Sequence, residues 1–323
     1  KQMVGRCSSV IRRVLFLEHS TDGTVGGSHY CLLEICRHLD KNRFQPVVCF
    51  FEHNSLVEDF KVVGAEVLIV HLPDNWSASA GLPRPLARLV AFPVNLVRTL
   101  IVRALSWMRL LRRQRIDLVH INNACGYDHD LMLAAKLCKL PCVVHERGIL
   151  PVIDGRTRLF SRLIDRIVAI SDAVAENLTR QGIRVKRIVR IDDGIDPQRF
   201  AQRESESSVR SRFNIHTGDD VIGIVGNVKQ WKGQHVVVEA LGLLRPSHPR
   251  LRCLLVGSKA DPSYCDRLVA RAKELDIPEY ALIFTGYEPH PADLMRIMDV
   301  VIHASVEPEP FGIVLLEAMA VGR

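Results

Sequence analysis

The chain has 323 residues, 47% of them hydrophobic, which is enough for two domains of ordinary size with substantial cores. A formal charge of +7 favours anionic partners such as nucleotide diphosphates or phospholipid headgroups. Nucleic acid is disfavoured, because aromatic residues make up 6% and no basic stretch is interleaved with stacking rings. Nine cysteines without a C-x-x-C pair indicate reduced core residues of a cytosolic protein, and neither a signal peptide nor a membrane-spanning apolar run occurs.

Short apolar runs alternate with helical patterns along the chain. The predicted strands cover 14–17, 45–51, 67–70, 118–121, 142–144, 167–170, 189–191, 221–225, 251–256, 282–284 and 300–302. The predicted helices cover 28–39, 129–138, 172–181, 234–244, 264–275 and 312–320. Continuous apolar strands separated by helices are typical of parallel sheets that are covered on both faces. The sequence therefore predicts an α/β fold with two doubly wound, Rossmann-like domains.

A polar stretch interrupts this alternation. Residues 202–220 include Glu-Ser-Glu-Ser-Ser and have no apolar period. We therefore predict one domain over residues 1–200 and a second over residues 201–323. The chain begins without Met and stops directly after a motif at Arg323, which suggests a fragment that lacks its C-terminal portion.

The segment 84–115 contains eight arginines and no acid. From residue 94, apolar residues recur at 97, 100, 101, 104, 105, 108 and 111, which predicts a basic amphipathic helix with Trp107 near its edge. One interpretation is a helix docked on its domain with a solvated basic face. The other is adsorption to an anionic membrane surface, at roughly 1 kcal/mol per basic residue near the headgroups.

In the first half, polar residues follow the predicted strands. Gly26 and Gly27 come after the first strand and open a helix, where a backbone without side chains can approach a phosphate or sugar. His120 and His145 lie at the ends of two further strands, where ligands of open α/β sheets bind. Each of these features is also compatible with a purely structural role.

Two further patterns in this half have simpler interpretations. Asp128-His129-Asp130 resembles a D-x-D metal motif, but it falls at a helix start, where acids act as caps and complement the helix dipole. Ser171 precedes a predicted helix and is expected to be its N-cap. No metal is predicted.

In the second half, Lys229 and Lys232 lie on a loop after a strand, where a lysine can offset the charge of a diphosphate. Gly286 follows another strand. Near the end, Glu309 and Glu317 flank Pro-Phe-Gly and an apolar run, which reads as a buried helix with one acid. The amides at Phe311, Gly312 and Ile313 would lie at its start and favour an anion; two acids beside them suit a ligand with a phosphate and several hydroxyls.

The segment from Ser305 to Gly322 resembles the donor-site motif of the retaining family 4 glycosyltransferases, which have the GT-B fold of two Rossmann-like domains facing a cleft. The Gly26-Gly27 loop, His145, the segment 191–200, Lys232-Gly233 and Gly286 resemble further family segments. The resemblance implies transfer of a sugar from a nucleotide-diphosphate sugar to a hydroxyl, with a first, acceptor-side domain and a second, nucleotide-sugar-binding domain. It implies no cofactor and no required metal.

The resemblance also implies roles for individual residues. Lys232, with Lys229, would stabilise the leaving diphosphate, and the amides at 311–313 would bind phosphate and sugar. Glu309 and His145 would contact the transferred sugar. Glu317 would hold the ribose hydroxyls, and the glycines at 26, 27 and 286 would lie near the donor.

Three positions depart from the family pattern. Asn227 stands where an arginine is usual, Asp193 where an asparagine is usual, and Glu146 where an aspartate is frequent. They leave open an alternative, a non-catalytic or degenerate nucleotide-sugar-binding protein of the same fold. A dehydrogenase is disfavoured because no G-x-G-x-x-G pattern occurs. The expected acceptor is a glycan or a lipid-linked saccharide in surface polysaccharide synthesis, and the expected location is the cytoplasm, including the inner face of the membrane.

Overall fold

The computed structural model describes residues 11–21, 23, 25–72 and 97–323. The chain divides into two compact units, Lys1–Asp193 and Gly194–Arg323. All eleven predicted strands are present, and their ends differ from the predicted ones by at most two residues. Helical periods and apolar runs are local properties of a sequence, which explains this agreement.

The first unit contains a parallel sheet of seven strands in the order β3-β2-β1-β4-β5-β6-β7. Its strands are β1 (Arg12–Leu17), β2 (Phe44–Phe50), β3 (Glu66–Ile69), β4 (Leu118–Ile121), β5 (Cys142–Glu146), β6 (Arg166–Ala169) and β7 (Ile188–Arg190). The strand order reverses between β1 and β4, so the loops that follow these two strands diverge and leave a crevice at the carboxyl edge.

The second unit contains a parallel sheet of four strands in the order β10-β9-β8-β11. Its strands are β8 (Val221–Val225), β9 (Arg252–Val256), β10 (Leu282–Gly286) and β11 (Val300–Ile302). Here the order reverses between β8 and β11. Each unit therefore has one topological switch point, which is where open α/β sheets bind ligands.

Helices connect the strands, as parallel pairing requires. The α-helices of the first unit are α1 (Gly27–His38), α2 (Val57–Val62), α3 (Arg103–Arg113), α4 (His129–Leu137), α5 (Gly155–Phe160) and α6 (Asp172–Arg180). Those of the second unit are α7 (Glu206–Arg212), α8 (Gln234–Leu244), α9 (Pro262–Glu274), α10 (Pro291–Ile297) and α11 (Ile313–Ala320). Single turns cover Val97–Val102 (a π-helix) and Ser161–Leu163, Val185–Arg187, Pro197–Phe200, Gln230–Lys232 and Glu279–Ala281 (3₁₀-helices). Within the described ranges, no helix has the length and apolar character that crossing a bilayer requires.

The cores lie between the sheets and these helices. Phe16, Leu32 and Phe50 pack together in the first unit, and Val238, Leu241 and Leu255 do so in the second. Cys49, Cys142 and Cys253 are unpaired and fully buried, as the sequence predicts. Ser171 caps α6 by accepting a hydrogen bond from the Val174 amide at 3.3 Å, so its expected role as an N-cap is confirmed.

The basic helix differs from its prediction. Residues 73–96 lie outside the described residues, so the prediction can be compared only from residue 97 onward. Trp107 is buried rather than at the edge, and its Nε1 donates to Asp130 at 3.3 Å, whereas Ile101 and Leu105 are 51% and 44% exposed. Within this helix the buried residues are Ala104, Trp107 and Leu111, so the helix packs through the face that carries the tryptophan.

The polar stretch 202–220 also differs from its prediction. It contains α7, and Val209 is buried among residues of the second unit together with Ile215. Ser205 caps this helix by accepting from the Ser208 amide at 3.3 Å. A single buried residue in a two-turn helix is too weak a periodic signal to read from composition.

Candidate functional site

The loops that follow β8 and β11 form a cluster around a lysine and a carboxylate. Lys232 Nζ donates to both oxygens of Glu309, at 2.8 and 3.1 Å, and Ser305 Oγ donates to Oε2 of the same group at 2.7 Å. His303 Nε2 lies 3.4 Å from this oxygen. The lysine and glutamate side chains are each 18% exposed, so the pair is shielded yet reachable.

Backbone contacts hold the two loops together. The Val306 amide donates to the Trp231 carbonyl at 2.9 Å, and the ring of Trp231 lies beneath the Lys232 ammonium at 4.1 Å. Gly233 has φ +78°, and a Cβ on it would come within 1.8 Å of the Ala304 carbonyl oxygen. The Lys-Gly dipeptide therefore needs its glycine for this close approach.

The contacts within the cluster stabilise the ionised form of Glu309. Burial tends to raise the pKa of Glu309, but hydrogen bonds from Lys232 and Ser305 outweigh burial, and the pKa lies below its ordinary value. Glu309 is therefore ionised at neutral pH. The cluster presents a carboxylate and an ammonium side by side at a switch point.

The start of α11 lies beside this pair. Gly312 has φ +80° and precedes the helix, and a Cβ on it would lie 3.7 Å from Cγ of Glu309. The first amides of a helix lack intrahelical acceptors, so those of Gly312 and Ile313 are suited to an anion, whereas Phe311 precedes the N-cap residue. The structure thus places Lys232, Glu309 and the predicted helix start together.

The remaining acid, Glu317, lies in the second turn of α11. The helix is less buried than predicted: among its residues only Ala318 is buried, and Met319 is 68% exposed. Ala318 packs against Met295 in α10, and this contact involves one face only. Burial nevertheless raises the pKa of Glu317 to about 7, opposed by the charge of Arg199.

The other predicted donor-site residues of this unit lie on neighbouring loops. Lys229 is exposed. Asn227 Oδ1 accepts from Ser258 Oγ at 2.7 Å, so this side chain ties two loops together at the position where the family has an arginine. Gly286 ends β10 with φ +79°, and its carbonyl accepts from the Gly257 amide at 2.9 Å.

In the first unit, His120 and His145 lie on adjacent strands with ring centroids 5.6 Å apart. Burial, with the charge of Arg147, lowers the pKa of His120 to about 3 and that of His145 to about 2. Both rings are therefore neutral at pH 7. Nε2 of each is buried without a hydrogen-bond partner among the described residues.

Arg147 organises this region. Its Nη1 donates to both oxygens of Asp193 at 2.6 Å, and its Nε donates to the Asn122 carbonyl at 3.0 Å. Its Nη2 lies 3.5 Å from Nδ1 of His145, and a guanidinium can only donate, so the hydrogen of His145 belongs on Nε2. Asp193, which departs from the usual asparagine, thus has a cationic partner with 8% side-chain exposure.

Glu146 turns away from His145, because successive residues of a strand point to opposite faces. It is fully buried and accepts from the Cys125 amide at 2.9 Å. Burial raises its pKa to about 7. This residue supports a neighbouring loop.

Gly26 and Gly27 lie where β1 leads into α1. Neither has a positive φ, and a Cβ on either would meet no atom of the described residues within 4 Å. Packing against the described part of the unit therefore does not require glycine at these positions. This is the arrangement expected if a phosphate or sugar approaches the backbone there.

Beneath this loop lies a buried acid that the sequence motifs do not indicate. Glu18 is fully buried and accepts from Ser28 Oγ and Asn123 Nδ2, both at 2.8 Å, and also from Asn122 Nδ2. It connects the loops that follow β1 and β4. The signal was available, because Glu18 and His19 come directly after a predicted strand, as ligand-site residues do in open sheets.

The segment Asp128-His129-Asp130 sends its side chains to three different partners. Asp128 contacts His19, the ring of His129 stacks on Phe160 at 4.7 Å, and Asp130 accepts from a tryptophan of α3. Asp128 is the N-cap residue of α4 and Asp130 lies in its first turn, as the pattern predicts, but the Asp128 side chain makes no cap hydrogen bond. The carboxylate reaches across to the other loop instead.

A family model described as Glycosyltransferase Family 4 matches residues 25–199, and one described as Glycosyl transferases group 1 matches residues 205–323. The chain belongs to glycosyltransferase family 4. The family predicted from the motifs is thereby confirmed.

Two relatives of this family are similar over part of their length. N-acetyl-alpha-D-glucosaminyl L-malate synthase of Bacillus anthracis is 25% identical over 222 residues, which are 65% of this chain and 56% of the synthase. GDP-mannose-dependent alpha-mannosyltransferase of Mycobacterium tuberculosis is 29% identical over 247 residues, which are 72% of this chain and 60% of that protein. The chain thus spans little more than half the length of these relatives.

A solved structure shares the fold. HepE from Anabaena, in complex with UDP, matches with a TM-score of 0.75 and 23% identity over 96% of this chain and 79% of that chain. The predicted fold class, two parallel-sheet α/β domains of the GT-B type, is confirmed. At this identity the likeness establishes the fold alone.

Proposed function

We propose that this protein transfers a sugar from a nucleotide-diphosphate sugar to a hydroxyl group, with retention at the anomeric carbon. The observation that carries the proposal is the contact of Lys232 with Glu309 beside the start of α11. An ammonium, a carboxylate and helix amides match the phosphates and hydroxyls of such a donor.

The first task of the cluster is to stabilise the leaving group. As the bond to the anomeric carbon breaks, negative charge accumulates on the diphosphate. Lys232 and the amides at 311–313 lie close together before the donor binds, so they can stabilise that charge once the ammonium turns from Glu309 to the diphosphate. The Trp231 ring and Glu309 limit the positions that the ammonium adopts.

The second task is to hold the sugar and the ribose. We assign Glu309 to sugar hydroxyls, since a carboxylate that accepts from Lys232 and Ser305 has lone pairs for further donors. His145, with its hydrogen on Nε2, is assigned to donate to a sugar hydroxyl. Glu317 is assigned to the ribose hydroxyls, and Gly26, Gly27 and Gly286 to close backbone approach.

The proposed donor carries UDP or GDP. Two similar proteins support this choice: HepE forms a complex with UDP, and the mycobacterial enzyme is a GDP-mannose-dependent mannosyltransferase. No metal or cofactor forms part of the proposal, because Lys232 supplies the positive charge. The proposed acceptor is a hydroxyl of a glycan or a lipid-linked saccharide.

For a lipid-linked acceptor we further propose contact with an anionic membrane surface through 84–115. Of the described part of this segment, Ile101, Leu105, Arg109 and Arg112 are exposed and share one helix face by their spacing. Co-sedimentation with phosphatidylserine vesicles, and not with phosphatidylcholine vesicles, is expected. Replacing Arg109 and Arg112 by Glu should abolish it, whereas Arg180→Glu, an exposed residue of α6, should not; equal recovery with both vesicles contradicts the proposal.

The transfer itself is tested by Glu309→Ala. We expect turnover of UDP-glucose or GDP-mannose to fall by about 10²-fold or more, because the sugar and Lys232 both lose a partner. Nucleotide affinity, measured by calorimetry with UDP and GDP, should change little. Glu307→Ala is the matched control, since Glu307 lies exposed on the same loop. Equal turnover by the parent and Glu309→Ala contradicts the assignment.

One observation favours a second candidate, a non-catalytic nucleotide-sugar-binding protein. Asn227 occupies the usual arginine position, and its side chain binds Ser258 rather than offering a charge. Under this candidate the parent protein binds UDP or GDP but turns over neither sugar nucleotide. Asn227→Arg would then be expected to introduce measurable turnover.

A further inference from the structure

The cluster around Lys232 and Glu309 includes a histidine whose inner ring nitrogen has no hydrogen-bond partner. His303 comes directly after β11, and its side chain is 23% exposed. Its Nε2 is nevertheless buried and makes no hydrogen bond to any residue that the structure describes. Leaving a buried polar atom without a partner costs free energy, so its presence in a candidate site requires an explanation.

This nitrogen faces one oxygen of the Glu309 carboxylate. The distance from Nε2 to Oε2 is 3.4 Å, which is longer than the roughly 2.7–3.2 Å of a formed N–H···O bond. A Cβ on Gly312 would also lie 3.4 Å from Nε2, so the residue before α11 closes the space on another side. The carboxylate is thus an acceptor that Nε2 can reach through a small movement of either side chain.

Oε2 of Glu309 already has two donors. It accepts from Lys232 Nζ at 2.8 Å and from Ser305 Oγ at 2.7 Å. A carboxylate has about two lone-pair sites on each oxygen, so a third donor finds none available on Oε2. This explains why His303 stops short of a hydrogen bond. Among the described residues, Oε1 accepts only from the lysine, at 3.1 Å.

We propose that His303 replaces Lys232 at Oε2 of Glu309 when the diphosphate of the donor attracts the ammonium. The departing lysine frees a lone pair, and Nε2–H donates to it after the gap closes by about 0.5 Å. His303 is then a positioning residue that holds Oε2 together with Ser305. This inference rests on the proposed sugar transfer and assigns the group that keeps Glu309 in place during it.

The exchange has an electrostatic reason. Without Lys232, the partly buried carboxylate of Glu309 would lose its strongest donor just as a negatively charged diphosphate arrives, and an uncompensated charge of this kind is costly. A hydrogen bond to an ionised acceptor is stronger than one between neutral groups, so His303 offsets part of the loss. The required hydrogen on Nε2 is present in the imidazolium and in one neutral tautomer.

The exchange also divides the work of the two carboxylate oxygens. Ser305 and His303 hold Oε2, whereas departure of the lysine leaves both lone pairs of Oε1 for sugar hydroxyls. The ammonium can then remain with the leaving group throughout the reaction. His303 neither bonds to the substrate nor receives its proton, so its role is compatible with retention at the anomeric carbon.

The first test removes the lysine and needs no ligand. In Lys232→Met a lone pair of Oε2 is free, so His303 should donate to Glu309. Nitrogen-15 correlation spectra of the histidine side chains should show a hydrogen on Nε2 whose proton signal moves downfield from its position in the parent protein. Lys229→Met, which changes an exposed lysine of the same loop, should leave the signal unmoved. Identical His303 signals in the parent and Lys232→Met overturn the proposal.

The second test adds the donor. UDP-glucose or GDP-mannose should move the His303 signals of the parent protein in the same direction as Lys232→Met does. Glu309→Ala should abolish this change, which distinguishes a new hydrogen bond from a direct effect of the nucleotide. Binding that leaves the signals unmoved, or a change that persists in Glu309→Ala, overturns the proposal. If neither sugar nucleotide binds while Lys232→Met moves the signals, the proposed transfer fails and the contact of His303 with Glu309 stands.

The third test separates positioning from folding by kinetics. His303→Leu should lower kcat about tenfold, as expected for one lost hydrogen bond to a charged group. Its affinity for UDP should be unchanged, because UDP has no sugar for Glu309 to hold. His248→Leu is the matched control, since His248 is an exposed histidine of the same unit. Unchanged kcat in His303→Leu overturns the proposal.

Conservative variants sharpen this test. The amide nitrogen of glutamine lies about as far from the backbone as Nε2 of histidine, and that of asparagine about as far as Nδ1. His303→Gln should therefore recover most of the lost kcat, whereas His303→Asn should not. A packing role alone would not favour glutamine in this way, so equal losses of kcat in His303→Gln and His303→Leu overturn the assignment of Nε2 as the donor.

Discussion

Both units carry charged side chains near the switch point of their sheet, but these side chains differ in how far solvent can reach them. In the first, the charges at the switch point are enclosed: Glu18 is fully buried, and the Arg147 and Asp193 side chains are 8% and 10% exposed. In the second, Lys232 and Glu309 are each 18% exposed. Enclosed charges fix the positions of neighbouring neutral groups, whereas reachable charges can exchange a partner for a ligand.

Local chemistry explains the difference. Arg147 makes several hydrogen bonds within its unit, and these satisfy a buried guanidinium. Lys232 has fewer partners and a flexible stem, so its ammonium can turn from Glu309 to a phosphate. The first unit is thus suited to orienting uncharged hydroxyls and the second to binding an anion.

The largest expected effect comes from Arg147→Met. It leaves the buried carboxylate of Asp193 without its cation, and we expect the free energy of unfolding to fall by about 3–5 kcal/mol. Urea denaturation measures this change. The double variant Arg147→Met with Asp193→Asn should recover part of the loss, since no unpaired charge remains. If the free energy of unfolding of Arg147→Met fell by less than about 1 kcal/mol, the charges of the first unit would not differ in this respect from the exposed pair of the second.

The next effect comes from Lys232→Met. The pair it breaks is partly exposed, so stability should fall by only about 0–1 kcal/mol. Turnover should fall by about 10²–10³-fold, because the diphosphate loses its counter-charge in the transition state. Parallel measurement of denaturation and of sugar-nucleotide turnover separates the two quantities. Lys229→Met serves as the comparison, and an equal loss of turnover there would assign the diphosphate to both lysines.

The smallest expected effect concerns pH. Burial raises the pKa of Glu317 to about 7, so the carboxylate gains its charge as pH rises from 6 to 8. If the ionised form accepts the ribose hydroxyls, affinity for UDP-glucose should increase about tenfold over this range. Calorimetry at several pH values measures it, and the diphosphate diester does not titrate there. Glu317→Gln should bind independently of pH, and a parent protein without pH dependence contradicts the ribose assignment.

Much of the fold was readable from sequence because its signals are local. Strands of three to seven residues have continuous apolar runs, and their order along the chain implies parallel pairing. The face of α3 was not readable, because Trp107 finds a partner in Asp130, which lies on another helix. A pattern within one segment contains no information about such a partner.

The candidate site likewise has a part that the sequence predicts and a part that depends on the tertiary structure. The motif at 305–322 is contiguous, so its glutamates, its glycine and its helix were identifiable together with the family. The contacts that define the chemistry join residues that are far apart in sequence. The separation is 77 residues for Lys232 and Glu309, 46 for Arg147 and Asp193, and 109 for His19 and Asp128. By itself the sequence determined the elements and the family, since both depend on short segments. Only the tertiary structure decided which charges are paired and which histidines are neutral, because burial and partners arise when separate loops meet at the edge of a sheet.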